Sequence, residues 1–367
     1  MRFRPTVVEV DLDAIRKNVR TLKPGGSELM AVVKANGYGH GDVPVARAAL
    51  EAGATWLGVA LVEEGLRLRE AGIEAPILLL SEFPADSEKD VISANLTPTL
   101  YSAGKARALA EAGLTSVRTP RAHLKVDTGM HRVGVPPDSA VELARSFRAQ
   151  GVEVEGVWTH FARSEELDVT TTQAQLERFL ATLGDLEEAG IRPRYRHAAN
   201  SGATIAWPGS HLDLVRVGIG MYGIPPGPDL VGRPSLRPAM SLRSRVSHVR
   251  RLGPGEAVSY GHRYRLERES TIATIPIGYA DGYLRALTNT GRVLIRGRRY
   301  PVAGTVTMDQ LMVDLGDDRV AVGDEAVLFG RQETEEIRAE EVGGWAGTIG
   351  YEIVCAVSER VPREYRG

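Results

Sequence analysis

The 367-residue chain predicts an α/β fold, an N-terminal (β/α)8 barrel of the TIM type followed by a C-terminal, mostly-β domain. Three observations carry this expectation. Apolar strand-like runs alternate with helix-period segments up to about residue 224. The tripeptide Glu-Ala-Gly recurs at 51–53, 70–72, 111–113 and 188–190, each time closing a helical segment ahead of an apolar run. After residue 224, Pro225, Pro226, Pro228, Pro234 and Pro238 interrupt the chain, and beyond them the helical period disappears.

Val7-Val8-Glu9-Val10-Asp11 alternates as a strand does, and it is expected to pair with the C-terminal domain. Asp11 or Asp13 can cap a helix over Ala14–Leu22. The candidate barrel strands are Leu29–Val33, Trp56–Ala60, Ile77–Leu80, Thr97–Leu100, His123–Val126, Gly156–Thr159, Tyr195–Ala198 and Leu214–Val217. Helical segments lie between most of them, the clearest over Thr171–Ala189, and each Glu-Ala-Gly glycine reads as a left-handed C-cap. Eight such units argue for a closed barrel. The alternative is an open doubly wound sheet, but GxGxxG is missing after the first strand. The expected division is 1–238 for the barrel and 239–367 for the β domain. In the latter, Ser241–Arg251, Thr271–Ile277, Arg292–Ile295, Pro301–Thr305, Gln310–Leu315 and Glu325–Phe329 read as strands. Arg296-Gly297-Arg298 reads as a hairpin turn, and Arg338–Trp345 as a weak helix.

Composition narrows the function. With Lys+Arg 45 against Asp+Glu 47 the formal net charge is −2, and nothing calls for nucleic acid or a membrane surface. The arginine clusters at 243–251 and 292–299 read as solvated strand faces. One cysteine, Cys355, excludes an intrachain disulfide and a cysteine-built metal centre. No apolar signal core opens the chain and no run reaches the ~18 residues of a membrane span, so a cytoplasmic address is expected.

The chain is organised around Ala31-Val-Val-Lys34-Ala-Asn-Gly37-Tyr38-Gly39-His-Gly41. An apolar strand ends on one lysine and leaves through a glycine-rich loop. An amine there either snorkels to water or must be paired, neutralised or covalently occupied. In a (β/α)8 barrel the site lies where the strands end. Those ends carry Lys34 and Tyr38; Lys125, Asp127 and Arg132; His160; Asn200 and Ser201; and Arg216, Gly218 and Gly220. His160 alone reads more readily as a satisfied core histidine, and Lys125 with Asp127 can be read as a plain salt bridge. Together they form a polar, cationic face drawn from distant parts of the chain.

The residue types specify a chemistry. Ser201, Gly202, Gly218 and Gly220 suit a phosphate held by backbone N–H groups. A buried amine beside a phosphate site suits pyridoxal 5′-phosphate: a lysine for the Schiff base and donors for the phosphate. Arg216 would then lie under the ring. An arginine cannot give up its role as donor, so it leaves the ring nitrogen unprotonated and favours proton transfer over decarboxylation.

The motifs Ala31–Gly41, Lys125–Arg132, His160, His197–Thr204, Arg216–Gly223 and Ser259-Tyr260-Gly261 resemble those of bacterial alanine racemases. So do Pro276-Ile-Gly-Tyr279-Ala-Asp-Gly-Tyr283, Met308-Asp-Gln310 and Arg360-Val-Pro-Arg363. The likeness runs nearly the whole chain in order. It implies a pyridoxal-phosphate racemase interconverting L- and D-alanine for peptidoglycan by two-base proton transfer. It also implies a head-to-tail homodimer with shared active sites. On the matching positions, Lys34 is the Schiff-base lysine and one base, and Tyr260 is the opposite base, supplied by the partner subunit. Cofactor contacts fall on Tyr38, His160, Asn200, Ser201, Arg216, Gly218, Ile219 and Tyr351. Arg132 falls near the substrate carboxylate, Lys125 on a position often carbamylated, and Met308 and Tyr279 at the substrate entrance. No metal is implied.

Thr307 departs from the pattern, standing where many members carry cysteine; it is expected to line the substrate pocket without taking part in chemistry. Asp281 and Asp309 read as turn residues, and Tyr260 outside its motif would read as a half-buried strand tyrosine. The rival readings are a decarboxylase of the same architecture, a racemase of broader specificity, and a cofactor carrier without catalysis.

Overall fold

The structure is a computed structural model that describes residues 4–114 and 119–367. By their contacts the residues form two compact units: Ile15–Gly37 with Asp42–Arg237, and Met1–Ala14 with Tyr38–Gly41 and Pro238–Gly367.

In the first unit eight parallel strands stand in a ring: β2 (Glu28–Val32), β3 (Trp56–Val59), β4 (Ile77–Leu79), β5 (Thr97–Leu100), β6 (Arg121–Lys125), β7 (Glu153–Trp158), β8 (Tyr195–His197) and β9 (Leu214–Val217). From β2 to β8 each strand pairs with the next, and β9 returns to β2, with Met30 opposite Arg216. Asp213 N–H to Arg196 O (3.1 Å) and Arg216 N–H to Ala199 O (3.0 Å) join β8 to β9. The strands read from apolar runs thus pair in sequence order, because burial on both faces leaves them near-continuously apolar. Inside the ring, Met30, Trp56, Leu78, Tyr195 and Leu214 form one buried cluster.

Three of the four Glu-Ala-Gly glycines close their helices as expected: Gly53, Gly72 and Gly190 have φ of 103°, 78° and 72°. Gly113 differs. It is the last residue of the helix Ala103–Gly113, where a Cβ would lie 2.3 Å from the Pro120 ring, so close packing explains it.

In the second unit β1 (Val7–Asp11) lies between two strands of the far C-terminal chain. It is antiparallel to β10 (Met240–Arg245) and parallel to β20 (Arg363–Arg366). This pairing, the register Val8 opposite both Leu242 and Arg363, is why the first residues group with the C-terminal part although the sequence places them beside the barrel. The intervening strands are β11 (His248–Leu252), β12 (Ala257–Val258), β13 (Tyr264–Arg265), β14 (Ser270–Ile275), β15 (Arg292–Ile295), β16 (Arg298–Pro301), β17 (Leu311–Asp314), β18 (Glu325–Gln332) and β19 (Glu335–Ile337). The expected strand 241–251 is two strands broken at Val246-Ser247. The hairpin at Arg296-Gly297 is present between β15 and β16. The helix expected at 338–345 spans Ala339–Ala346. A second short helix, Gly350–Ala356, was not anticipated.

Among the described residues, no helix is long and apolar enough to cross a membrane.

Candidate active site at the strand ends

Lys34 stands two residues beyond β2, half-buried. The next four residues, Ala35, Asn36, Gly37 and Tyr38, have φ of 52°, 52°, 60° and 51°, a single left-handed turn. Each non-glycine in that region costs roughly 1–2 kcal/mol. Such strain persists only where the surroundings impose it, and it gathers at functional sites. Within the barrel unit the imposing group is Glu64. Its Oε1 accepts the Ala35 N–H at 2.6 Å, while Oε2 accepts those of Ala60 (2.8 Å) and Leu61 (3.2 Å). Asn36 Oδ1 adds the Asp42 N–H at 3.2 Å. Glu64 escaped the sequence reading, since nothing in Val-Glu-Glu-Gly distinguishes it from a solvated helix glutamate.

Across the barrel Arg216 is buried, 3% exposed. Nη2 donates to the carbonyls of Thr159 (2.8 Å) and Ala198 (2.9 Å) and lies 3.3 Å from His160 Nδ1; Nη1 lies 3.0 Å from His197 Nδ1. Its Cζ sits 4.6 Å from the Trp158 ring centroid. Every hydrogen-bond partner is neutral. Burial pulls the guanidinium down to about 9, which still leaves it charged at neutral pH. The same burial, with Arg216 nearby, holds His160 and His197 well below the usual imidazole value, so both are neutral. Beneath them His197 Nε2 meets His123 Nδ1 at 2.9 Å, and His123 Nε2 faces Glu155 Oε2 at 3.7 Å. Gly156 makes room for this column, because a Cβ there would lie 2.5 Å from His123 Nδ1. The sequence showed His123 and His197 as residues of strand-like runs. Their alignment requires the barrel.

Lys125 ends β6 and is 2% exposed, its Nζ 4.3 Å from the Trp158 ring centroid and 3.4 Å from Val126 O. Burial first, then the cations Arg216 and Arg132, push its amine well below the usual value. The plain Lys125–Asp127 salt bridge does not hold as written. The strand stops at Lys125, and Asp127 Oδ1 instead accepts the N–H groups of Gly129, Met130 and His131, each at 3.0 Å. Arg132 is exposed in the loop that this turn shapes.

After β8, Asn200 caps a short helix, Oδ1 accepting the Ala203 N–H at 3.1 Å. Ser201, 5% exposed, turns its Oγ toward the N–H groups of Gly218 (2.9 Å) and Gly220 (3.4 Å) after β9. Ile219 is buried beside them. One hydroxyl and a run of N–H donors therefore converge beyond two adjacent strands, where a phosphate could be held. With Lys34 and a buried cation facing neutral groups, this donor set fits pyridoxal 5′-phosphate.

In the second unit, Tyr38 and Tyr351 pack with ring centroids 6.4 Å apart at 52°. Elsewhere in that unit Tyr260 of the Ser-Tyr-Gly motif is 75% exposed, with Met308 at 52% and Tyr279 at 41%. Backbone ties bring the three together. Thr305 Oγ1 donates to Tyr260 O (2.8 Å), Tyr279 N–H to Thr307 O (3.0 Å) and Ala280 N–H to Met308 O (3.1 Å). Thr307 itself closes the turn bearing Met308, donating from Oγ1 to Gln310 O at 2.7 Å. Asp281 is fully buried and binds Arg4 and the Gly278 N–H, a structural role in keeping with its turn setting.

Comparison with known proteins agrees with this geometry. Residues 10–226 match the family described as alanine racemase, N-terminal domain, and residues 239–365 its C-terminal domain. The chain is 52% identical to an alanine racemase of Symbiobacterium thermophilum, over 100% of this chain and 98% of that one. Among solved structures it resembles the alanine racemase of D-cycloserine-producing Streptomyces lavendulae, with a TM-score of 0.95, 42% identity, and 100% and 98% coverage. It also resembles that of Bacillus anthracis with bound L-Ala-P, with a TM-score of 0.92, 40% identity, and 100% and 96% coverage. Both halves match in order and nearly end to end, and the chain belongs to the alanine racemase family, whose members are pyridoxal-phosphate-dependent isomerases.

Proposed function

We propose that this chain racemises alanine, using pyridoxal 5′-phosphate, and so supplies D-alanine for peptidoglycan. The observation that carries the reading is Arg216: a buried guanidinium bonded only to neutral groups, on the barrel face where Lys34 stands. When bound, the cofactor acidifies the α-proton of an attached amino acid. Lys34 would hold it covalently and serve as one base. Ser201, Gly218 and Ile219 would hold its phosphate with Tyr38 and Tyr351, and Asn200 and His160 would line its site. Arg216 would donate to the ring nitrogen without protonating it.

Racemisation needs a second base on the opposite face of Cα, and Tyr260 takes that role. Its 75% exposure, together with exposed Met308 and Tyr279 on connected backbone, supports a homodimer in which this surface covers the partner's barrel. Arg132 would meet the substrate carboxylate. Lys125, its amine made less basic by burial, would add CO2 with loss of one proton; the resulting carbamate is an anion able to orient Arg132. A cytoplasmic location accords with the single cysteine.

The test is incubation of the holoenzyme with L-alanine in heavy water. D-alanine carrying α-deuterium is expected. Ethylamine would instead mark a decarboxylase, and unchanged L-alanine a carrier.

A further inference from the structure

The motif Arg360-Val361-Pro362-Arg363 has no part in the chemistry above. Arg363 belongs to β20, in register with Val8 of β1. Its guanidinium gathers four backbone carbonyls. Nε donates to Gly39 O (3.1 Å), Nη1 to Ser358 O (2.7 Å) and Val361 O (2.8 Å), and Nη2 to Val357 O (2.6 Å). Two of these four follow directly on the helix Gly350–Ala356, near the carbonyl end that a helix leaves unsatisfied. That helix carries Tyr351 in its first turn. Gly39 follows Tyr38. The loop and the helix are in direct contact, since a Cβ on Gly39 would stand 2.1 Å from Val354 O. Tyr365, two residues on and so on the same face of β20, places its hydroxyl 2.0 Å from where a Gly41 Cβ would be. One strand face thus presses on both ends of the loop 39–41.

We propose that Arg363 is a positioning residue for cofactor binding: it locks the Tyr38 loop to the Tyr351 helix, so that the two tyrosines present their hydroxyls as one unit. The inference rests on the reading of Tyr38 and Tyr351 as phosphate contacts. Only arginine suits the task. Its planar fork reaches four carbonyls at once, whereas a lysine offers three donors about one nitrogen and cannot span them.

The test measures the dissociation constant of pyridoxal 5′-phosphate by equilibrium dialysis of the full-length protein, with far-UV circular dichroism as the folding control. Arg363→Lys should keep the parent spectrum and release cofactor about tenfold more readily, the scale of one lost charge-assisted hydrogen bond. Tyr38→Phe should also weaken retention. In the Tyr38→Phe background, Arg363→Lys should cost clearly less than in the parent, because part of what it positions is already gone. Losses that simply multiply would assign Arg363 a separate, structural role and overturn the inference. Tight binding by Arg363→Lys while Tyr38→Phe leaks would also overturn it, and would leave the phosphate reading intact. Parental retention by both Tyr38→Phe and Tyr351→Phe would sink the phosphate reading and the inference with it. As a second variant, Arg363→Ala should regain retention on addition of methylguanidinium, and no recovery counts against the proposal.

Discussion

Arg216 Nη1 donates to His197 Nδ1 across 3.0 Å, and this contact sets the direction of the hydrogen bonds beneath it. A guanidinium only donates, so His197 Nδ1 must accept. A neutral imidazole then carries its proton on Nε2 and donates it to His123 Nδ1. His123 in turn holds its proton on Nε2, facing the Glu155 carboxylate. A cation at one end and an anion at the other fix both tautomers. Nitrogen-15 NMR of histidine-labelled protein should show His197 Nδ1 without a proton and Nε2 with one. A protonated Nδ1 at His197 would falsify the assignment.

His123 and His197, with His160 beside Arg216, make the fold sensitive to mild acid. Burial lowers the folded-state values of His123, His160 and His197 below 6.5. As pH falls through 6.5 the unfolded chain takes up protons that the folded one refuses, so stability drops with falling pH from there. Above 6.5 these groups contribute no slope. Thermal unfolding at fixed cofactor concentration should lose midpoint temperature between about pH 6.5 and 5, before carboxylates titrate near 4. His197→Gln should flatten that slope. A midpoint unchanged over this range would contradict the buried neutral column.

Glu64 satisfies three backbone N–H groups, including that of strained Ala35. Glu64→Ala should cost about 1–3 kcal/mol in urea unfolding. Amide exchange at Ala35 should accelerate together with that at Ala60. If Ala35 stays protected, another group holds the left-handed turn.

Lys125 is expected to hold a carbamate. Protein equilibrated with 13C-bicarbonate should show one slowly exchanging carbamate carbon that Lys125→Gln lacks. Absence of the signal in the parent protein would leave Lys125 a bare amine over Trp158 and remove its proposed hold on Arg132.

Lys34→Ala and Tyr260→Phe should each abolish nearly all racemisation as homodimers. Unfolded, mixed and refolded together, about half the dimers are mixed and each has one intact site, so roughly a quarter of parental activity should return. No recovery would place both bases in one chain.

Most barrel strands were legible because parallel strands buried on both faces run near-continuously apolar; Arg121–Lys125 and Tyr195–His197 show that pattern least. Seven of the eight begin and end within two residues of the run read from the sequence, and Thr97–Leu100 and Leu214–Val217 match at both ends. The polar residues at their ends could also be assembled in advance, because the barrel puts all such ends on one face. What stayed hidden was of another kind. Glu64 and Glu155 are single carboxylates in ordinary helix and strand settings, and the partners that matter, Ala35 and His123, are far away in the chain. The helix bearing Tyr351 is too short to show a period.

The amino-acid sequence by itself determined the alternation of elements, the lysine just beyond the first barrel strand and the arginine near the end of the last. These rest on local burial pattern and residue chemistry, which need no partner to be read. Only the tertiary structure decided that β1 joins β10 and β20, that His197 and His123 align between Arg216 and Glu155, and that Arg363 holds the loop after Tyr38. Each is a contact between residues distant in the chain, specified by hydrogen-bond geometry in three dimensions.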